Sequence, residues 1–267
     1  MIREPAVAGQ FYPANPASLR RTIDSFLEKH ESLIEAKAVV SPHAGYVYSG
    51  AVAGAVYSTV KLPKRIIVLG PNHTGRGIPL SLHPAGEWLT PLGVVAIDAE
   101  MNRRLLEECP DLREDRLAHI REHSLEVQIP FLQTLVPEFK FSAICVGTAD
   151  FASLDSLGHA MARAIQSIKE SVLIISSSDM THYEPANVAR KKDRLAIDQV
   201  IAVDPQGLYR VVTEKDISMC GFAPTVASLT ACRDLGAGSG QLIRYANSGD
   251  VSGDYESVVG YAGMAVT

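Results

Sequence analysis

The stretch RIIVLGPNHTG (residues 65–75) decides the fold class of this chain. A run of large aliphatic residues ends at Gly70 and Pro71, and a histidine, His73, follows directly. A short apolar run with β-branched residues, closed by Gly and Pro, is typical of a buried strand. The segment therefore predicts a buried strand with a polar, chemically versatile side chain just beyond its carboxyl end.

Two other segments repeat this arrangement. AVVSPHAGY (residues 38–46) places His43 after an apolar run, and SVLIISSSDMTH (residues 171–182) does the same for His182. In open α/β sheets, ligands gather at the carboxyl ends of parallel strands. The three histidines are therefore predicted to converge on one crevice and together suggest a metal site, although each one alone is more typical of a hydrogen-bonded loop residue.

The other histidines lack a buried strand in front of them, or open a helical pattern. Four lie in polar or helical stretches and are interpreted as solvated or structural: His30, His83, His119 and His159. In REHSLEVQIPFL (residues 121–132), Glu122, His123 and Glu126 begin a helical pattern that puts positions 123 and 126 on one face. The alternative is a partly buried hydrogen-bond network in the first turn.

Strand-like and helical patterns alternate along the chain. Strands are predicted at 37–41, 65–69, 141–146, 172–176, 241–246 and 258–266, and helices at 17–30, 50–60, 100–108, 124–135, 154–169, 188–203 and 225–234. This alternation predicts an α/β fold, a three-layer α/β/α sandwich with a mainly parallel central sheet. The segment 78–98, which holds Trp88, reads as a turn between short strands outside the centre of that sheet.

Composition limits the function classes. The 267 residues, 46% of them hydrophobic, suffice for one domain over residues 1–267. A formal charge of −5 and a pI near 5.9 give no basic footprint for nucleic acid or anionic lipid, so small molecules or proteins are the expected partners. The chain has neither the apolar core of a secretory signal nor a run of about 20 apolar residues, which predicts a cytoplasmic protein with no membrane span.

Of the four cysteines, Cys220 has a distinct setting. Cys145 lies at the end of a predicted strand, Cys232 within a predicted helix and Cys109 at the end of another. All three are interpreted as packed hydrophobic side chains. Cys220 precedes Gly221 and a predicted helix, and the positive end of a helix dipole favours the thiolate that binds metal or reacts. Packing alone is the alternative for Cys220 as well.

Asp179 lies three residues before His182 in SSSDMTH. A carboxylate so close could orient the imidazole or share a site with it. Helix capping is the alternative.

Seven ordered segments spread over nearly the whole chain resemble the Memo family. They are AVAGQFYP (6–13), SPHAGYVYSG (41–50), LGPNHTG (69–75), TPLG (90–93), EHSLEVQIPFL (122–132), SSDMTHY (177–183) and MCGFAP (219–224). That family is similar in fold to the class III extradiol ring-cleaving dioxygenases. The resemblance implies a three-layer α/β/α domain with a metal site at the end of the sheet.

The resemblance also implies roles for individual residues. His43, His73 and the thiolate of Cys220 would be metal ligands, while His182 would match an acid/base histidine and Asp179 would line the same pocket. Phe11 and Tyr48 would match aromatic residues associated with binding a phosphotyrosine peptide, although the animal protein has tryptophan where this chain has Phe11. His123 is predicted to contribute to ligand binding. AMMECR-type and radical-SAM proteins are implied as companion proteins.

The implied metal ligands limit which properties of the dioxygenases can be expected of this chain. Two imidazoles and one thiolate suit iron or copper, with zinc as the alternative, and a thiolate beside activated oxygen can itself be oxidised. Three functions stay open: a metal-dependent redox enzyme with His182 as acid/base and Asp179 orienting it, a non-catalytic metal-handling or peptide-binding module, and a zinc hydrolase. The last is least favoured, because neither a phosphate-binding glycine loop nor an HExxH motif is present.

Overall fold

The computed structural model describes all residues from 1 to 267 and contains a twelve-stranded sheet. The strands are β1 Ile2–Arg3, β2 Ala38–Ser41, β3 Arg65–Pro71, β4 Leu80–Leu82, β5 Glu87–Thr90, β6 Gly93–Ile97, β7 Arg113–Glu114, β8 Lys140–Val146, β9 Val172–Ser177, β10 His182–Glu184, β11 Gly240–Asn247 and β12 Val258–Val266. The helices are α1 Pro16–Asp24, α2 Tyr46–Thr59, α3 Ala99–Glu108, α4 Ile129–Leu135, α5 Phe151–Gln166, α6 Ala186–Ile201, α7 Pro205–Glu214, α8 Phe222–Asp234 and α9 Gly249–Ser252. A 3-10 turn, Glu126–Gln128, leads into α4.

The centre of the sheet is parallel. Strands β6, β8, β3, β9 and β2 lie side by side in that order with parallel pairing throughout. On the other side of β2, β12 runs antiparallel and also pairs with β10 and β11. The predicted fold class, a three-layer α/β/α sandwich with a mainly parallel sheet, is confirmed.

Both faces of the sheet are covered, as β3 illustrates. Ile66 and Val68 pack into one core with residues of α1, α2 and α4, whereas Ile67 and Leu69 pack into the other with residues of α3, α5 and α8. Successive strand residues point to opposite faces, so an uninterrupted apolar run supplies both cores at once. This is why RIIVL predicts a central strand.

The segment 78–98 lies outside the parallel centre, as predicted. β5 and β6 form an antiparallel hairpin that turns at Gly93, whose φ of +116° is a conformation that residues with a Cβ rarely adopt. β6 pairs with the start of β8, and β4 pairs antiparallel with its end. Trp88 lies in β5 and is buried.

Several helix predictions differ from the structure. The helix predicted at 17–30 ends at Asp24, the one predicted at 124–135 becomes α-helical only at Ile129, and neither α7 nor α9 was predicted. Asp204 caps α7 by accepting the Gly207 N–H, and Pro205 occupies its first turn, where proline is well tolerated. None of the helices has the length and apolar character needed to cross a lipid bilayer.

Candidate metal centre

Three neighbouring strands end at one edge of the sheet and carry polar residues just beyond it. β3, β9 and β2 are adjacent and parallel, so their carboxyl ends meet. His73 follows β3, Asp179 follows β9 and His43 follows β2, each by two residues. Of the three histidines predicted to converge, His43 and His73 follow these strand ends directly, whereas His182 begins β10 and is near enough to His43 to lower its pKa, after the larger effects of burial, His123 and His73.

His43, His73 and His123 form the centre of this region. Ring centroids are 5.2 Å apart for His43 and His73, 5.4 Å for His43 and His123, and 4.6 Å for His73 and His123. One ligand atom from each of the three lies within 4.8 Å of the other two. Imidazole nitrogens are the commonest protein ligands of transition metals, so this group could hold a metal ion.

Cys220 reaches the same place from the start of α8. Its Sγ lies 3.1 Å from His43 Nε2 and accepts a hydrogen bond of 3.3 Å from the Asp179 N–H. The neighbouring Gly221 makes this approach feasible, since a Cβ there would lie 2.3 Å from the Ser177 carbonyl oxygen. The MCG motif thus brings a sulfur ligand atom against the carboxyl ends of the strands.

The Cys220 thiol differs from the sequence-based expectation in its protonation. Burial raises its pKa, and the Asp179 carboxylate raises it further. Loss of solvation therefore outweighs the helix dipole, and the protonated thiol can donate to His43 Nε2. A cation beside Sγ would supply the charge that a thiolate needs.

Glu122 holds His73. Its buried carboxylate accepts the His73 backbone N–H at 2.7 Å and lies 2.9 Å from His73 Nδ1. Burial raises the pKa of Glu122, but the hydrogen bonds from His73 and from the Ser124 N–H outweigh it and lower the pKa to about 2. An ionised carboxylate only accepts hydrogen bonds, so His73 carries its proton on Nδ1 and its Nε2 is free. Sequence reasoning did not predict this role.

His43 is buried and held through its Nδ1, which lies 2.9 Å from Ser177 Oγ. Burial lowers the pKa of His43 well below its usual value, and His123 and His73 lower it further. His43 is therefore neutral, which is the form that binds a metal ion.

His123 is less constrained than the other two histidines. Its Nδ1 is 3.5 Å from the Glu122 carboxylate, and its ring packs against Phe11 with centroids 4.6 Å apart. Burial lowers the pKa of His123 to about 4. Phe11 thus borders the histidine group.

Asp179 and His182 are not joined by a hydrogen bond, which corrects the expectation that Asp179 orients His182. His182 Nδ1 lies 2.9 Å from the Ser218 carbonyl oxygen, and the His182 N–H donates to Ser218 Oγ. Asp179 instead accepts the backbone N–H groups of His43 and Ala44, at 2.8 and 3.3 Å. Burial raises the pKa of Asp179 to about 6 despite these bonds. Asp179 therefore fixes the loop that carries His43.

Glu126 turns away from the histidines, so it does not share a site with His123. Its carboxylate accepts hydrogen bonds from Arg3 and Tyr12 and from the backbone N–H groups of Ala6 and Val7. The buried-network alternative describes Glu126 correctly. The structure shows the same for Glu122, which serves His73.

The remaining predicted positions lie around this region. Tyr48, in the first turn of α2, is 41% exposed; burial raises the pKa of Tyr261, and Asp179 and Tyr48 raise it further. Of the histidines interpreted as solvated or structural, His83 and His119 are buried, whereas His30 and His159 are paired with carboxylates near the surface.

Known proteins match this chain over nearly its full length. The family model described as "Memo-like protein" matches residues 3–265. A MEMO1 family protein of Methanopyrus kandleri is 41% identical over 278 aligned positions, covering 99% of this chain and 98% of the relative. One from Aquifex aeolicus is 42% identical over 266 positions, covering 98% of each.

A solved structure is similar in fold. It is that of an uncharacterized protein from Escherichia coli K12, with a TM-score of 0.56 and 12% sequence identity. The similarity covers 86% of this chain and 100% of that one.

Proposed function

The chain belongs to the Memo family, and from this premise we propose that it binds one transition metal ion through His43, His73 and Cys220. The observation that carries the proposal is the convergence of imidazole nitrogens and a sulfur at the carboxyl ends of β2 and β3. His43 Nε2 and Cys220 Sγ are 3.1 Å apart, and ligand atoms of His43 and His73 lie within 4.8 Å of each other. One ion can bond to His43 and His73 at these spacings, and Cys220, whose Sγ contacts His43, would become the third ligand by moving toward the same ion.

The donor set determines which ions fit. Imidazole suits iron, copper and zinc, and thiolate favours the softer of these, so iron or copper is the proposed occupant and zinc the alternative. The ionised Glu122 and the thiolate formed at Cys220 would offset the charge of the cation. A redox-active ion at this position would supply electron transfer to or from a bound small molecule.

His123 is proposed as an additional nitrogen donor or a ligand-contacting residue. It completes the three-histidine group, yet its Nδ1 is 3.5 Å from its nearest acidic partner and its ring faces Phe11. Because few contacts hold the His123 ring, it could move to suit the bound ion or ligand.

A second candidate function is a metal-dependent redox enzyme in which His182 moves a proton. One observation favours it: His182 donates Nδ1–H to the Ser218 carbonyl, which leaves Nε2 without a protein partner. His182 is also close enough to affect the pKa of both His43 and Asp179. An imidazole in this position could accept a proton from a substrate and return it.

Elemental analysis and equilibrium dialysis test the metal proposal. The untagged protein is analysed as purified and after dialysis against Fe(II), Cu(I) or Zn(II), beside the His73→Ala, Cys220→Ser and His123→Ala variants. We expect about one ion per chain, lost in His73→Ala and Cys220→Ser because each removes a direct ligand. The His159→Ala variant is the control, since His159 lies near the surface between two aspartates.

Retention of a full equivalent of metal by both His73→Ala and Cys220→Ser would overturn the ligand assignment. Loss in His123→Ala but not in Cys220→Ser would assign the ion to the three histidines alone. Oxygen consumption or substrate turnover that disappears in His182→Gln while the metal content is kept would support the enzymatic candidate. Unchanged turnover in that variant would contradict it.

A further inference from the structure

We infer that Ser177 and Gln128 are positioning residues that hold the His43 proton on Nδ1 and so keep His43 Nε2 free for a metal ion. The inference rests on the proposed metal-binding function and adds residues that do not themselves touch the ion. It follows from counting the hydrogen atoms available to one buried hydroxyl group.

Ser177 Oγ has three partners and a single proton. It lies 2.5 Å from the Ser124 carbonyl oxygen, 2.7 Å from Gln128 Nε2 and 2.9 Å from His43 Nδ1. A carbonyl oxygen only accepts, so Ser177 donates its proton to Ser124. Both remaining partners must then donate to Ser177, and His43 can do so only with a proton on Nδ1.

The amide of Gln128 is fixed in the orientation that this pattern needs. Its Nε2 donates to the Pro42 carbonyl at 3.0 Å as well as to Ser177, while its Oε1 accepts from the Tyr57 hydroxyl at 2.6 Å. Rotating the amide by half a turn would set Oε1 against the Pro42 carbonyl, and neither atom could donate. Gln128 therefore holds a donor toward Ser177.

The network is fully buried, so water does not replace a missing partner. Ser177 and Gln128 are both 0% exposed, as is Ser124. A buried donor or acceptor without a partner costs about 1–3 kcal/mol. The alternative tautomer of His43, with its proton on Nε2, would leave Nδ1 without a donor and would place a hydrogen atom where the metal ion binds.

His73 is fixed in the same way by a different group. Ionised Glu122 accepts from His73 Nδ1, which again leaves Nε2 free. His123 has no comparable contact, with its Nδ1 3.5 Å from Glu122. His43 and His73 belong both to the three-histidine group and to the proposed ligand set. They are also the two histidines whose tautomers are fixed.

Nitrogen NMR of the metal-free protein labelled in its histidines tests the inference directly. His43, assigned by its loss in His43→Gln, should show a protonated Nδ1 and an unprotonated Nε2. In Ser177→Ala, Nδ1 loses its acceptor while Nε2–H can donate to the Cys220 sulfur, so the Nε2-protonated tautomer should appear. We expect the metal dissociation constant to rise about 10–100-fold.

Ser176→Ala is the matched control. Ser176 precedes Ser177 on the same strand, is equally buried, and bonds to Ser228 on the opposite face of the sheet. It should leave the His43 tautomer and the metal affinity unchanged. Gln128→Met keeps Ser177 as the acceptor for His43 but removes the second donor to Ser177, together with the bonds to the Pro42 carbonyl and the Tyr57 hydroxyl. It should cause a smaller change in the His43 tautomer in the same direction, and it serves if Ser177→Ala does not fold.

An Nε2-protonated His43 in the wild-type protein would overturn the inference. So would a Ser177→Ala variant with the tautomer and the affinity of Ser176→Ala. If the wild-type protein does not bind metal either, the proposed function fails. The NMR comparison still tests whether Ser177 sets the His43 tautomer, because it is made on metal-free protein.

Discussion

Two groups of closely spaced histidines in this molecule differ in exposure and in the charges around them: His83 and His119 are both buried, whereas of His43, His73 and His123 only His43 is. One is the three-histidine group of His43, His73 and His123 at the carboxyl ends of the strands. The other, which we name the structural pair, is His83 and His119, whose ring centroids are 5.2 Å apart under the β4–β6 excursion. Proximity of histidines is common to both, so it does not by itself identify a metal site.

The structural pair is neutral for the same reason as His43 and His123. Burial lowers the pKa of His83 to about 4 and that of His119 to about 3. Their protons are donated to backbone carbonyls, from His83 Nδ1 to Pro84 and from His119 Nε2 to Ser81.

The difference lies in the charge nearby. The Arg3 guanidinium lies 4.1 Å from the centre of the Trp88 ring, donates to the His119 carbonyl and lowers the pKa of both histidines of the pair. The three-histidine group instead borders the ionised Glu122. A cation is therefore favoured at the strand ends and disfavoured at the pair, because the neighbouring charges have opposite signs.

The largest expected effect is the loss of stability caused by replacing Arg3, which contacts both regions. Arg3 donates to the His119 carbonyl, to the Glu122 carbonyl and to the buried Glu126 carboxylate. Arg3→Met leaves Glu126 buried without its cation, and we expect the free energy of unfolding to fall by about 3–5 kcal/mol. Urea unfolding measures the change.

A surface ion pair serves as the control for this prediction. Arg103→Met removes the exposed pair with Glu107 and should cost at most about 1 kcal/mol. If Arg3→Met were as mild as Arg103→Met, the charge contrast between the two histidine groups would lose its physical basis.

The next effect concerns the charge beside the three-histidine group. Glu122→Gln keeps the shape of the side chain but removes its negative charge and one acceptor for His73. We expect metal affinity to fall about 10–100-fold, measured by competition with a chelator.

Glu100→Gln is the matched control, because Glu100 pairs with Arg65 at the amino end of β3. It should leave metal affinity unchanged. Equal affinities for the two variants would mean that the charge of Glu122 is not what distinguishes the strand ends.

The smallest effect is a pH slope at the structural pair. Because His83 and His119 have pKa values lower in the folded than in the unfolded protein, only the unfolded chain takes up their protons below about pH 6.5. Stability should therefore fall as pH drops from about 6.5 toward 4, by up to about 1.4 kcal/mol per pH unit for each histidine.

The His119→Gln variant isolates this contribution. Glutamine keeps an N–H donor for the Ser81 carbonyl but does not titrate, so its unfolding free energy should depend less steeply on pH than that of the wild type. Urea unfolding at several pH values between 7 and 4.5 compares the slopes. Parallel slopes would show that His119 is not held neutral by the fold.

The sequence predicted the frame of the site but not its supporting contacts. Apolar runs mark strand ends, so the placement of His43 and His73 follows from local pattern and sheet topology. The supporting roles of Glu122, Ser177 and Gln128 do not follow from local pattern, because they depend on which loop faces which strand end. Only the three-dimensional arrangement supplies that information.

The sequence pattern did not predict α7, and the reason lies in the residues at its start. Asp204 and Pro205 come directly after the helix predicted at 188–203, and proline is typical of the region just beyond a helix end. An Asp followed by Pro is also a signal for a helix beginning. The same residues permit both interpretations, and packing against α8 decides between them.

The Arg3–Glu126 ion pair has a consequence for the order of events during synthesis. The two residues are 123 positions apart, which at about 5–20 residues per second separates their appearance by roughly 6–25 s. Cys220 is made later still, 177 positions after His43. The nascent chain thus carries His43 and His73 before the groups that hold them exist, and the proposed metal site is incomplete until Cys220 has been made.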